Sequence, residues 1–169
     1  TTEIYTLSLH DALPIYDTES WFRDIWNDAG QQNGNKLRTF RLFKHSLSTS
    51  SYIRSVVDRK QRSNLAKRRC GSLPLEVEVG RFSRPKTPLH LRVCRLCNSG
   101  RVEDEVHFLA DCDFYSDLRY ELFHNTTFHP VLTSSVDRFT YIMQNDNFVT
   151  PLAAVVTAMY KRRIVHYTV

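Results

Sequence analysis

Three cysteines and a histidine within a window of 19 residues, Cys94-x2-Cys97-x9-His107-x4-Cys112, constrain this chain more than any other feature. Zinc takes four soft or borderline donors in a tetrahedron, and three thiolates with one imidazole form a common structural set. A Cys-x-x-Cys turn supplies two of them, and a His and a Cys about a turn and a half apart supply the others. With every position filled by protein, no place is left for a reacting water. Such an ion folds the chain rather than catalyses. The expectation is one structural Zn2+ on Cys94, Cys97, His107 and Cys112. Clustered cysteines beside a His point to metal in a reducing, intracellular compartment, cytoplasmic or nuclear, rather than to a disulfide framework. Cys70, next to Gly71, is expected to pack as a small apolar residue at a helix end. His10, His45, His90, His124, His129 and His166 have no partner at ligand spacing.

Charge is distributed unevenly around that site. Residues 36–92 hold 15 Lys and Arg against 3 acids, whereas residues 101–147 hold 9 acids against 3 basic residues. A polyanion would be attracted to the first stretch and repelled by the second, so a nucleic-acid contact should be one-sided. The candidate phosphate contacts are Arg59, Lys60, Arg62, Lys67, Arg68 and Arg69 on one basic helix, with Arg81, Arg92 and Arg95 near the metal hairpin. Glu103, Asp104, Glu105, Asp111, Asp113 and Asp117 flank the site and would repel phosphate there, which favours protein docking locally. The pairs Glu103/Glu105 and Glu76/Glu78 are expected to face solvent or a helix N-terminus rather than act as a general acid and base. No Ser/His/Asp order, phosphate-cradling glycine loop or open metal position accompanies them, so the chain is read as non-catalytic, without a small-molecule substrate.

The apolar spacing is mostly helical. Asp17 or Thr18 can cap a helix carrying Trp21, Phe22, Ile25 and Trp26, and further helices are predicted over Leu37 to Lys44 and around Tyr52 to Val57. Asp58 should cap a helix over Arg59 to Arg69 that Gly71 stops. Pro74 opens a short helical turn closing at Gly80, residues 83–88 form a connector, and residues 92–101 form the metal hairpin. Helices over Asp104 to Asp111 and Tyr115 to Phe123 carry the other ligands. Two more follow, over Ser135 to Gln144 and from Thr150-Pro151 onward, the last with Leu152, Val155, Val156, Met159 and Tyr160 as its buried stripe. The apolar run from Pro151 to Tyr160 is too short to span a bilayer, so no membrane role is expected. The fold class is mainly α, a helical domain with a small Cys-Cys-His-Cys zinc-binding hairpin-helix insert. Its regions are a basic helical part at 16–90, a zinc-binding lobe at 91–125, and C-terminal helices at 126–169 packing on the core. Residues 1–15, TTEIYTLSLHDALPI, resemble a translated sequencing-adapter read and are set aside as non-native, which implies that the natural chain continues upstream.

Beyond the ligands, several pieces of sequence occur in a distinctive order. They are LAKRRCGSLPLE at 65–76, Gly80-Arg81-Phe82, Cys94-Arg95-Leu96-Cys97, and EDEVHFLADC at 103–112. In this order they resemble the reverse-transcriptase zinc-binding domain, found in the C-terminal tails of non-LTR (LINE-type) retrotransposon polyproteins and as detached copies in animal genomes. The resemblance runs from Lys36 to Phe123, and more weakly from Ser135 to Arg163. It implies the same four metal ligands, a role in holding template RNA or target DNA, and the rest of a polyprotein as a further partner. It supplies no catalytic residue, and neither a Tyr/Phe-x-Asp-Asp polymerase signature nor an endonuclease carboxylate set is present. The expected function is therefore a zinc-stabilised module binding the RNA or DNA backbone. The alternative is a structural or protein-docking zinc module.

Overall fold

A computed structural model describes residues 37–46, 48–124 and 134–167, and within them the cap and the stop foreseen from the sequence fix the two ends of the basic helix. Among the described residues six α-helices follow one another: α1 (Tyr52–Ser55), α2 (Arg59–Arg69), α3 (Glu76–Phe82), α4 (Ser116–His124), α5 (Ser135–Gln144) and α6 (Val149–Tyr167). Short 3-10 turns at Phe40–Leu42, Leu89–Leu91, Asp113–Tyr115 and Asp146–Phe148 join them, with a π-helical turn at His107–Asp111. No strand occurs among the described residues, and the only β pairing there is an isolated bridge between Val93 and Val102. The architecture is mainly helical, with the hairpin set into it. The segment 1–15 and the helix expected around Trp21 to Trp26 lie outside the described residues.

The side chain of Asp58 accepts the Gln61 N–H at 2.7 Å, satisfying one of the orphan donors at the head of α2. Past the other end Gly71 adopts φ 61°, a left-handed conformation that a residue with a Cβ adopts at a cost. Ser134 caps α5 in the same way through the Asp137 N–H. Four expected helices differ in extent. The segment 37–44 tightens into the 3-10 turn Phe40–Leu42, and Val56 leaves α1 in an extended conformation. The last helix begins at Val149, because the turn Asp146–Phe148 runs directly into it; Pro151 then falls in the first turn, where no N–H is needed. The fourth, α3, passes through Gly80 to Phe82 rather than closing there. A Cβ at Gly80 would come within 2.7 Å of the Arg92 side chain, so the glycine makes room for that arginine.

Residues Lys36–Val169 form one compact unit, in which α6 is the spine. It presents Leu152, Ala153, Val155, Val156 and Met159 to the core; α2 packs across it most extensively, and α1 and α4 also contact it. On α5, Phe139, Ile142 and Met143 are buried, and this helix backs the π-helical turn. Edge-to-face rings tie these layers together, Phe43 with Phe139 and Phe108 with Tyr115. The zinc-binding lobe expected at 91–125 thus shares one core with the stretches on either side.

The interior holds more charge than the sequence announces. On the inner face of α2 lie Asn64, Leu65, Arg68 and Arg69, a face with a single apolar residue. Arg68 is fully buried, donates to the main-chain carbonyl of Glu105, and lies over the Phe139 ring at 4.8 Å. Arg38 pairs with the Glu105 carboxylate, and Arg163 pairs with Glu103. Glu76 and Glu78 stand in the first turn of α3, at a helix N-terminus as expected, but none of Glu76, Glu78, Glu103 and Glu105 faces solvent, since all four are buried. Arg163, Arg38 and Arg95, from distant parts of the chain, offset the desolvation of Glu103, Glu105 and Glu76, and Arg81 on the same helix offsets that of Glu78.

Candidate metal centre and basic surface

The hairpin that carries the first two cysteines is closed by the main chain. Cys94 donates its N–H to Arg101 O at 2.8 Å, and Glu103 donates to Arg92 O at 2.9 Å. On the facing segment, the Asp104 carboxylate accepts the His107 N–H at 2.8 Å. From His107 the backbone widens into the π turn, and Cys112 returns its N–H to His107 O at 2.8 Å. Five residues along an ordinary α-helix rotate a side chain by roughly 500°, leaving its ends about 140° apart. The wider i→i+5 closure brings His107 and Cys112 to the same site despite that spacing.

The four ligand atoms all lie within 4.8 Å of one another. Cys94 and Cys112 Sγ are 3.8 Å apart, and Cys97 Sγ lies 3.3 Å from His107 Nε2. A tetrahedral zinc with Zn–S of about 2.3 Å and Zn–N of about 2.0 Å would put two sulfurs about 3.8 Å apart and a sulfur and nitrogen about 3.6 Å apart. The residues therefore fit a metal ion with a closed four-ligand set. Cys94, His107 and Cys112 are buried and Cys97 is half-buried. A hydrogen bond with Cys112 holds the Cys94 thiol far down, to about 3, and the same shared proton pushes Cys112 far up. Burial disfavours a charged His107, but the neighbouring Cys94 and Cys97 sulfurs outweigh it and raise the imidazole. These groups crowd negative charge into one pocket, and a cation would relieve it.

Supporting contacts reach outward from the ligands. Arg119, buried on α4, donates to Cys112 O at 2.6 Å. Glu103 stands 3.9 Å from Cys94 Sγ, accepts the Glu76 N–H at 2.8 Å and meets Arg163. Burial pushes the Glu103 carboxyl up, to about 7, against the pull of Arg163. Asp104 was detectable as an acid three residues before His107, in cap position, but nothing local in the sequence marks Glu103 or Arg119. Cys70 caps α2 away from the ligands and is exposed rather than packed as an apolar residue.

The nine cations expected to meet phosphate divide into three groups. Arg68, Arg69 and Arg92 are 0%, 6% and 6% exposed, which corrects their assignment to the open surface that would meet a nucleic-acid backbone. Arg92 spans from Thr87 O to Val77 O, and Arg69 donates to Met143 O. Arg62, Arg81 and Arg95 are engaged, Arg62 with Val56 O at 2.8 Å, Arg81 with Glu78 at 3.1 Å and Arg95 with Glu76 at 3.4 Å. Arg59, Lys60 and Lys67 remain exposed on the outer face of α2, with no hydrogen bond or ion pair among the described residues. The acids thought to repel phosphate are largely accounted for as well. Glu103 and Glu105 are buried, Asp111 accepts from Arg101 and Arg138, and Asp117 from Arg162. Comparisons with protein-family models, with curated proteins and with solved structures gave no match. No described helix is long and apolar enough to cross a membrane.

Proposed function

We propose that this chain is a zinc-stabilised, non-catalytic module that binds the phosphate backbone of RNA or DNA, the role carried by the reverse-transcriptase zinc-binding domain that its motifs resemble. One observation carries the reading: the outer face of α2 shows Arg59, Lys60 and Lys67 around Ser63 without an acid among them, while the arginines of the inner face are consumed in the interior. Zinc is the ion because three thiolates and an imidazole in a closed tetrahedron match its structural sites. The buried position of three expected contacts makes the binding face smaller than the sequence implies. The interaction should be of modest affinity and independent of base sequence.

Three phosphate contacts on duplex DNA give a salt slope of about −2.7, hence a roughly 40-fold loss of affinity between 50 and 200 mM salt. Gel shifts across that range measure it, and a flat response refutes the reading. The triple variant Arg59→Glu, Lys60→Glu, Lys67→Glu should abolish binding with helicity and metal content unchanged. One feature favours docking to a protein instead: Val79 and Phe82, on one side of α3, are 47% and 70% exposed. Under that reading the charge reversal changes nothing, and Phe82→Ser removes partner binding.

A further inference from the structure

A cavity of about 400 Å³ opens where the segment after the Phe40–Leu42 turn meets the C-terminal end of α2 and the turn between α5 and α6. None of its lining residues belongs to the metal centre or to the outer face of α2, and it stands independently of the nucleic-acid reading. Its lining is rich in donors. Lys44, His45 and Arg69 share it with the hydroxyls of Ser46, Ser48 and Ser51. Asp146 is the one carboxylate there, and it already accepts from Ser51.

Arg69 is the unusual member. It is 6% exposed, yet it makes no ion pair among the described residues. One N–H donates to Met143 O at 3.2 Å, and the guanidinium lies over Phe43 at 4.5 Å and Tyr52 at 5.2 Å, but Nε has no hydrogen-bond partner. Capping α5 and stacking on two rings account for where Arg69 sits. They do not involve Lys44, the other fixed cation of the lining, which shares with Arg69 the single carboxylate of Asp146. Burial and then repulsion from Arg69 lower the Lys44 ammonium, against the pull of Asp146. Lys44 also donates to Ser48 O at 2.6 Å and Ser48 Oγ at 2.8 Å, fixing the serine-bearing segment against the cavity.

We propose that this cavity binds a phosphate monoester, with Lys44 and Arg69 supplying the positive charge and the serine hydroxyls the further donors. A phosphate monoester carries close to two negative charges near neutral pH and three acceptor oxygens, which suits donors arriving from several directions. The volume exceeds that of a phosphate alone and falls within the roughly 300–1,000 Å³ of small-molecule sites, leaving room for an attached sugar. The phosphate is either free or the terminal phosphate of an oligonucleotide.

The test is a titration of the zinc-loaded chain with inorganic phosphate against chloride at matched ionic strength, read by thermal shift and calorimetry. Saturable binding is expected, weakened at least tenfold in Lys44→Gln and strengthened several-fold in Asp146→Asn, which removes the only negative charge of the lining. No saturable binding, or binding indifferent to both substitutions, overturns the proposal. Should Lys44→Gln fail to fold, the gain in Asp146→Asn decides alone. A 5′-phosphorylated dinucleotide binding tenfold tighter than inorganic phosphate, while its 5′-hydroxyl counterpart does not bind, identifies a nucleic-acid end as the source. Equal affinities for the two phosphates identify free phosphate.

Discussion

The metal hairpin and helix α2 teach opposite lessons about what a residue type implies. In the hairpin, chemistry and position coincide: among the described residues Cys94, Cys97, His107 and Cys112 are the only such donors close together, and all four converge. In α2, neighbours of identical chemistry part company. Lys67 is exposed on the outer face, while Arg68 is enclosed between Glu105 and Phe139. A metal site constrains its residues by coordination, which few side chains satisfy. A basic helix constrains its residues only by which way each one points.

Metal removal should break the contrast most violently. Structural zinc contributes roughly 10–16 kcal/mol in finger peptides, as much as the total stability of a typical domain. Strong chelator, or Cys112→Ser, should therefore unfold at least the stretch from Arg92 to Cys112, seen as lost amide protection and helicity. An unchanged spectrum in the demetallated chain would remove the ion from the account of the fold. A smaller effect separates the two cations in α2. Arg68→Met should cost about 3 kcal/mol, because it strips the buried Glu105 carbonyl of its donor and the buried Glu105 carboxylate of a nearby positive charge. For a chain of this size that is a midpoint drop of roughly 6–12 °C. Lys67→Met should stay within about 0.5 kcal/mol. Equal losses at both positions would erase the distinction between the faces. Asp58→Ala sharpens it at the lowest amplitude, costing about 1 kcal/mol through the cap of α2 alone, with metal content unaffected.

What the sequence made legible was local. Ligand spacing, the Asp58 cap and the stop at Gly71 each depend on a few consecutive residues, and each is present in the fold. What it hid was long-range. Arg163 reaches Glu103 across 60 residues, and Arg38 reaches Glu105 across 67, so neither burial leaves any periodic trace. The inner face of α2 defeats an apolar-stripe reading because Leu65 is its only hydrophobic member. The lopsided charge of the chain, which pointed to a polyanion partner, is in part spent inside the protein: Arg38 pairs with Glu105, and Arg68, Arg69 and Arg92 are buried on main-chain carbonyls. The π turn was equally invisible, since its apolar pattern is that of an ordinary helix.

Glu103 gives the metal hairpin an unexpected lack of portability. Its carboxylate touches a ligand sulfur on one side and is held by the start of α3 and by α6 on the other. A finger cut out for grafting onto another scaffold would carry that acid bare beside the ion, with its cationic counterweight left behind. Transplanting the site means transplanting Arg163 and the helix that bears it.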